Sequence, residues 1–318
     1  MGSVHRFQAC DHHRPIFSGQ PVPVWSGDKP VPVYECLWHN LGMGRSPLGD
    51  FLKARRREIQ PQDVGIASTG RRRTAGLRRE EVAALASIST DYYTRIEQGR
   101  RIAPPQTMDV IADVLGIDRS GREYLAELAG ERAEPRPQHT SPHVFPGLLR
   151  MIDAMPSVPC LVLGRRMDIL AWNNLAERLL MTDFAALDDA NRNYARLIFI
   201  NREVQRLYGD WESTGRMCVF QLHMEVAKDP HDERLGRLVT ELSQVSDDFR
   251  TWWGEHQVRD QNRGRKLFRH PVVGDLDLDW ETLVAADDPD QRLISWTAPT
   301  RTVAARRLAE LTRLNSHS

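Results

Sequence analysis

Residues 77–100 constrain the fold of this chain more than any other segment, because they predict two short helices joined by a tight turn. Val82 and Ala86 give the first helix an apolar stripe four residues apart. Ser89 follows the turn, and its hydroxyl can accept a hydrogen bond from a free backbone N–H of the second helix. Two helices held at a fixed angle by so short a turn form the unit that places a helix in the major groove of DNA.

The second helix has two different faces. Tyr93 and Ile96, three residues apart, are expected to point inward. The outward face is polar throughout and carries Thr90, Asp91, Thr94, Arg95 and Gln98. Because short polar side chains with one arginine suit base edges, we expect Arg95 and Asp91 to contact bases. Thr90 and Thr94 either contact bases as well or position the helix.

Basic residues around this helix pair suit the DNA backbone. Gly99 is expected to end the second helix, and we expect Arg79, Arg100 and Arg101 to contact phosphates. The alternative is an ordinary helical hairpin in a packed bundle, which would accommodate any one of these features. Their combination favours DNA binding.

Further helices are predicted at residues 48–59, 107–115 and 118–129. We therefore expect an all-α domain of five helices over residues 46–130, with the helix-turn-helix in the second and third positions. A polar, proline-interrupted stretch predicts a linker at residues 131–145.

Five helices in this order resemble the DNA-binding domains of phage repressors and of the Xre class of regulators. The chain departs from that class at Ser87, where glycine is most common, and in the long connection at residues 60–76. Over roughly residues 46–300 the chain resembles the MmyB-like transcription regulators. The motifs that carry this resemblance are residues 70–82, 91–100, 145–149, 162–173 and 264–274.

The resemblance implies a C-terminal ligand-binding domain of PAS-like fold, and at least one such regulator is understood to hold a fatty acid. It also implies an ion pair between Arg56 and Glu97, since Xre-type domains pair an arginine and a glutamate at the matching positions. Glu97 follows the inward-facing Ile96, and Arg56 lies on the inward side of its predicted helix. We expect this pair to be largely buried.

The C-terminal part, residues 146–300, predicts a mixed α/β domain with an antiparallel sheet of about five strands. Strands are expected at residues 160–163, 168–172, 266–269, 275–283 and 292–297, and helices at residues 175–180, 190–199, 212–227 and 234–245. Leu276, Leu278 and Trp280 alternate with three aspartates, as in a strand with one buried face. Residues 301–318 are expected to form a partly helical tail.

A ligand could lie between the sheet and the helices of such a domain. The surplus of large aromatic side chains predicts a mostly apolar cavity of roughly 300–1,000 Å³. Its expected lining residues are Trp172, Phe199, Trp211, Phe249, Trp252, His256 and His270. The alternative for each aromatic residue is plain core packing, and for each histidine a structural role.

The charges cancel over the whole chain, at 43 basic and 43 acidic residues, but they are unevenly spread. Residues 53–101 carry twelve Lys and Arg against six Asp and Glu, so this part is +6 and the rest −6. A basic lobe joined to an acidic one is typical of a nucleic-acid module attached to another domain. No apolar run is long enough to cross a bilayer, and the four cysteines have no paired spacing, so we expect free thiols in a cytoplasmic, nucleoid-associated protein.

Residues 1–45 do not predict a fold, so we expect a disordered extension or a mis-assigned translation start. The cluster at residues 10–13 lacks the spacing of a zinc site, and no motif in the chain indicates catalysis, so we expect neither cofactor nor metal nor enzymatic activity. The sequence predicts a homodimeric regulator that binds a double-stranded DNA operator and senses a small apolar ligand, possibly a fatty acid. Two alternatives remain: a DNA-binding scaffold whose C-terminal domain binds a protein, and an enzyme fused to a helix-turn-helix.

Overall fold

The computed structural model describes residues 25–26, 29–30, 46–66, 76–129, 144–255, 263–285 and 288–313. The chain divides into two units, residues 1–31 and 32–318. In the first, β1 (Trp25–Ser26) and β2 (Lys29–Pro30) pair in antiparallel fashion. All other described elements belong to the second. Most of the predicted extension and linker lies outside the described residues.

The N-terminal part of the second unit is helical, as predicted. Its helices are α1 (Pro47–Glu58), α2 (Arg79–Leu85), α3 (Thr90–Glu97), α4 (Pro105–Val114) and α5 (Arg119–Leu128), with a 3₁₀ turn at Pro61–Val64. The side chains of Ser46, Ser89 and Asp118 accept hydrogen bonds at the starts of α1, α3 and α5. Their shared core includes Phe51, Leu52, Val82, Tyr93, Ile96, Ile111 and Tyr124.

The C-terminal part contains a five-stranded antiparallel sheet with helices packed against it. The strands are β3 (Cys160–Leu163), β4 (Ile169–Trp172), β5 (Arg263–His270), β6 (Gly274–Ala285) and β7 (Asp288–Thr297), in the order β4-β3-β7-β6-β5. The helices are α6 (Pro146–Asp153), α7 (Asn174–Leu179), α8 (Tyr194–Ile200), α9 (Arg202–Leu207), α10 (Trp211–Lys228), α11 (Glu233–Val245), α12 (Asp247–Glu255) and α13 (Val303–Arg313). The expected α/β class and five-stranded sheet are confirmed.

Strand β6 shows why the sheet has one buried face. Leu276, Leu278 and Trp280 are buried, whereas Asp275 and Asp277 on the other face are exposed. The register continues this inner face across the sheet, pairing Lys266 with Leu278, Trp280 with Trp296, and Leu161 with Ile294. Helices α8, α10, α11 and α12 pack on one another and join the same core.

Two helices differ from their predicted form. The helix expected at residues 190–199 begins instead at Tyr194, because the side chain of Asn193 accepts a hydrogen bond from the backbone N–H of Arg196 and caps it there. Helix α13, in the segment expected to form a partly helical tail, packs into the domain core, because Leu308 and Leu311 are buried and the helix contacts β6 and α7.

Candidate nucleic-acid interface and ligand cavities

The turn between α2 and α3 depends on one unusual backbone conformation. Ser87 has φ +54°, in the left-handed region that favours glycine. The chain therefore carries serine in place of the more common glycine at the one position of this turn where the backbone conformation favours glycine. The N–H of Ile88 donates to the carbonyl of Ala83 at 2.9 Å, which closes the end of α2. Gly49 lets α1 approach α3, since a Cβ there would lie 2.2 Å from the carbonyl oxygen of Glu97.

The predicted base-contacting residues share the outward face of α3. Asp91 and Arg95 are exposed and form an ion pair at 2.8 Å one turn apart. Thr90 is exposed, whereas Thr94 is half-buried and its hydroxyl donates to the carbonyl of Thr90 at 2.7 Å. Arg95 is therefore the longest donor-bearing side chain on this face, and its partner in the free protein is an exposed carboxylate that DNA can replace.

Of the three arginines predicted to contact phosphates, two lie exposed just beyond the end of α3. Arg100 and Arg101 are exposed, and the guanidinium of Arg101 lies 5.0 Å from the centroid of the Tyr92 ring. Arg79 instead donates through Nε to Oε1 of Glu97 at 2.9 Å, with its side chain 42% exposed. Its primary contact in the free protein is thus within the domain.

The expected pair between Arg56 and Glu97 is confirmed. Nε of Arg56 donates to Oε2 of Glu97 at 2.7 Å, and a second guanidinium nitrogen donates to Oε1 at 3.0 Å. The side chains are 10% and 1% exposed. Burial alone would raise the pKa of the Glu97 carboxyl, but the hydrogen bonds and charges of Arg56 and Arg79 outweigh it and hold that pKa below its ordinary value.

Four of the residues predicted to line a ligand cavity form a packed aromatic cluster. Phe199 makes edge-on contacts with Trp211, Phe249 and Trp252, at centroid distances of 5.9, 5.0 and 5.9 Å. The cluster packs directly onto α10 at Gly215, where a Cβ would lie 2.5 Å from the Trp252 ring. These rings fill space between helices, as the core-packing alternative held.

The remaining predicted lining residues lie apart from this cluster. Trp172 packs on Phe184 and donates to Glu177 at 2.8 Å. Nε2 of His270 lies 3.0 Å from the carbonyl oxygen of Arg178. His256 lies outside the described residues. The structure therefore does not bring the seven predicted residues together around one space.

Two cavities open between the inner face of the sheet and α10. One, of about 90 Å³, is bordered by Tyr208, Asp210, Ser213, Thr214, Met217, Arg265, Lys266, Leu267 and Trp280, and we call it the Asp210 cavity. The other, of about 50 Å³, is the Trp296 cavity, bordered by Leu163, Gly164, Met167, Tyr194, Met217, Gln221, Lys266, Trp280, Thr282, Arg292, Ile294 and Trp296. Each is smaller than the cavity expected from the aromatic content. Met217, Lys266 and Trp280 border both.

Sequence reasoning missed these cavity residues because they come from distant strands and one helix. One signal was available for Lys266. Only four of the 43 basic residues are lysines, and Lys266 shares an alternating strand face with Phe268 and His270. A rare lysine on the apolar face of a strand is unusual, because lysine is seldom buried without a partner.

Helix α10 also contacts the helix-turn-helix domain. Phe220 and Met224 are buried in the core of the N-terminal helices, and the Phe220 ring lies 6.2 Å from that of Tyr124 on α5. His223 stacks on Trp253 at 3.8 Å, and its Nδ1 lies 3.5 Å from the hydroxyl of Tyr124. One helix thus borders both cavities and completes the core beneath the DNA-binding helices.

Within the described ranges, no cluster of three or more His, Cys, Asp or Glu side chains has the geometry of a metal site. None of the described helices combines the length and apolar character needed to cross a membrane. Cys160 and Cys218 are buried free thiols, and the other two cysteines lie outside the described part of the chain.

Comparison with known families matches both parts of the chain. A model described as a helix-turn-helix domain matches residues 47–125, and one described as the MmyB-like transcription regulator ligand binding domain matches residues 144–311. No curated protein matches the chain. The second match extends into α13, in agreement with the packing of that helix on the sheet.

Proposed function

Since the chain belongs to the MmyB-like transcription regulators, we propose that it is a homodimeric, sequence-specific regulator that senses a small, mostly apolar, fatty-acid-like ligand. A helix-turn-helix domain and a ligand-binding domain in one chain make it a DNA-binding transcription regulator. The chemical class of the ligand, the homodimeric state and the roles of single residues are what we propose.

One observation carries this proposal, namely the position of α10 between the two functions. Met217 and Gln221 border the Trp296 cavity, while Phe220 and Met224, each three residues from one of them, pack into the core of the DNA-binding domain. A ligand that moves Met217 or Gln221 therefore acts on the helix that supports α5. Because a ligand shifts an equilibrium only by its differential affinity for the two states, the effect is a graded change in operator affinity.

On DNA, Arg95 and Asp91 contact bases, Thr90 and Thr94 assist, and Arg100 and Arg101 hold phosphates. Arg79 also contacts a phosphate when its half-exposed guanidinium group releases Glu97. A dimer would place two α3 helices in successive major grooves about 34–36 Å apart, over a near-palindromic operator.

The experiment selects operators from a random double-stranded DNA library and then measures affinity by fluorescence anisotropy, with delipidated protein and a series of saturated fatty acids. We expect a palindromic consensus and an affinity that changes with one range of chain lengths. If the selection yields no sequence preference, the proposed contacts of α3 with bases are wrong. An operator affinity unchanged by every fatty acid would refute sensing and leave the protein-binding scaffold as the better account.

A further inference from the structure

The outward face of α3 carries one acidic side chain, that of Asp91, in contact with Arg95. Oδ2 of Asp91 lies 2.8 Å from Nη2 of Arg95, and the two side chains are 70% and 55% exposed. The other residues of this face, Thr90, Thr94 and Gln98, are uncharged. Phosphates repel a carboxylate on a DNA-facing surface, so Asp91 weakens binding to every sequence unless a base compensates for it. Its position therefore requires an explanation in terms of base recognition.

The ion pair presents hydrogen-bond donors and an acceptor side by side. The guanidinium of Arg95 has five N–H donors in one plane, of which a single carboxylate occupies only a part. The carboxylate of Asp91 is exposed and accepts from further donors. The hydroxyl of Thr94, by contrast, already donates to the carbonyl of Thr90 at 2.7 Å. The charged pair thus provides the most complete hydrogen-bonding pattern on this face.

One base pair in one orientation matches this pattern in the major groove. A G·C pair presents two acceptors, N7 and O6 of guanine, followed by the N4 amino donor of cytosine. Adenine instead presents a donor beside its N7, and thymine presents an acceptor where cytosine has its amino group. The O6 and N4 groups of a G·C pair are hydrogen-bonded to each other. A donor and an acceptor in direct contact, as in Arg95 and Asp91, therefore have a matching separation.

We propose that Arg95 and Asp91 act as one unit that recognises a G·C base pair in each half-site of the operator. Arg95 donates to O6 and N7 of the guanine, and Asp91 accepts from the amino group of the cytosine. This inference rests on the proposed function and assigns the base pair that α3 recognises. DNA can displace the carboxylate from Arg95, but a G·C pair does not require it, because both side chains keep their mutual contact while they bind.

The ion pair also prepares Arg95 before DNA binds. A free arginine side chain samples many rotamers, and fixing it on a base costs conformational entropy. Contact with Asp91, one turn earlier on the same helix, holds the guanidinium on the outward face of α3 in the free protein. The same carboxylate repels the acceptor edges of guanine and thymine where cytosine belongs. Asp91 is thus a positioning residue for Arg95 and a determinant of specificity.

The test is an anisotropy titration of the full-length protein with the selected operator and with three duplexes changed at one position. The G·C pair is replaced by A·T in the first and reversed to C·G in the second. In the third, deazaguanine replaces guanine, so that a carbon stands in place of N7. We expect each change to weaken binding roughly tenfold. A selected operator that requires no G·C pair in its half-sites would refute the assignment and leave the regulator intact, whereas no sequence preference at all would refute both.

Asp91→Ala separates base recognition from a structural role. Asp91 lies in the first turn of α3, where the helix dipole favours an acid, so the alternative is that it only stabilises the helix. We expect the variant to bind a scrambled duplex at least as tightly as wild type, while its preference for G·C over A·T falls severalfold. Asp109→Ala is the matched control, because it removes an exposed acid from α4 of the same domain, and it should keep the full preference.

The double variant of Asp91→Ala and Arg95→Ala tests whether the two residues act as a unit. If they do, its loss of G·C preference should equal that of Arg95→Ala alone, because each contact depends on the other. Losses that multiply would mean that the two side chains recognise separate base pairs. An unchanged preference in Asp91→Ala, whatever its stability to urea, would leave Asp91 a helix-stabilising residue and overturn the proposal.

Discussion

At the scale of single residues, the buried and half-buried charges divide into those that hold the fold and those that cost it stability. The cluster of Arg56, Glu97 and Arg79 joins α1, α2 and α3, and its hydrogen bonds satisfy both oxygens of the glutamate. Lys266, by contrast, forms no ion pair within the described part of the chain, and the attraction of Asp210 only partly offsets its desolvation. Replacement of these residues should therefore affect stability in opposite directions.

Arg56→Ala should lower the free energy of unfolding by about 3–5 kcal/mol, since it leaves Oε2 of the buried Glu97 without its donor and only the half-exposed Arg79 as a partner. Arg79→Ala, which removes a half-exposed partner, should cost about 0–1 kcal/mol. The folded pKa of Glu97 is depressed, so its contribution is present above the unfolded pKa and is lost as the pH falls through the folded value. Urea unfolding between pH 7 and pH 3 measures both effects. Equal losses in the two variants would contradict the asymmetry.

Lys266→Met should instead raise the stability of the ligand-free protein by roughly 1–3 kcal/mol at pH 7. The pKa of Lys266 falls from 10.5 to about 8 on folding, so the charged side chain opposes folding below pH 8. Wild-type stability should rise between pH 8 and pH 10.5, and the advantage of the variant should shrink over the same range. Thermal unfolding of both proteins at pH 7 and pH 10 gives the comparison. A destabilised variant would show that Lys266 supports the fold.

On the DNA surface, Arg95→Ala should cost roughly 1–3 kcal/mol on the operator and weaken the preference at one base pair. Arg101→Ala should weaken binding to all sequences alike and reduce the slope of affinity against salt by about one. Anisotropy titrations at several salt concentrations, on the operator and on a scrambled duplex, distinguish the two. An intact operator preference in Arg95→Ala would mean that α3 does not lie in the groove as proposed.

At the scale of elements, the sequence predicted the helices and strands that depend on contacts between residues near one another in the chain. Helices α1 to α5 follow from apolar spacing and from capping residues such as Ser89, and β6 follows from strict alternation. The start of α8 was placed too early because the cap at Asn193 also depends on its bonds to the β3–β4 turn, where its amide donates to the carbonyl of Arg166. The two cavities could not be predicted from spacing, since β5, β6, β7 and α10 meet there only in the fold.

The roles of the large aromatic residues were likewise not predictable from the sequence. Large rings favour either a cavity wall or close packing, and the sequence does not distinguish them. The outcome depends on contacts such as that between Gly215 and Trp252, which only the packing of α10 on α12 reveals. The outward face of α3, by contrast, is set within one short segment, and the exposure of Thr90, Asp91, Arg95 and Gln98 was predictable, whereas Thr94 is half-buried.

The turn between α2 and α3 offers a test of this local logic. Ser87→Gly should stabilise the DNA-binding domain by about 0.5–1 kcal/mol, because it relieves a left-handed conformation at an exposed position. The gain is partly offset by the greater freedom of glycine in the unfolded chain. Ser89→Gly is the matched control and should lower stability by a few tenths of a kcal/mol through loss of the cap on α3. The denaturant midpoints of the two variants and the wild type measure these changes in stability. A lower midpoint in both variants would show that the backbone at Ser87 is not strained.

At the scale of the whole molecule, two activities depend on one continuous packing arrangement. Phe220 belongs by sequence to the ligand-binding domain, yet it is 2% exposed within the core of the DNA-binding helices. The rings of Trp253, His223, Tyr124 and Phe51 continue this contact from α12 through α10 and α5 to α1. Because the two cores share side chains, local unfolding of one exposes apolar surface of the other.

We therefore expect the wild-type protein to unfold in one transition, and Phe220→Ala to unfold in two. Truncation of this buried ring removes about 3–5 kcal/mol of packing and cavity free energy where the domains meet, while leaving the outward face of α3 unchanged. Operator affinity without ligand should therefore remain within a few-fold of wild type, and its response to dodecanoate should be lost. Phe184→Ala, a truncation of an equally buried ring in the C-terminal core, should lower stability but keep the response. Calorimetric scans and anisotropy titrations on the three proteins measure this, and a ligand response that survives in Phe220→Ala would show that the signal does not pass through α10.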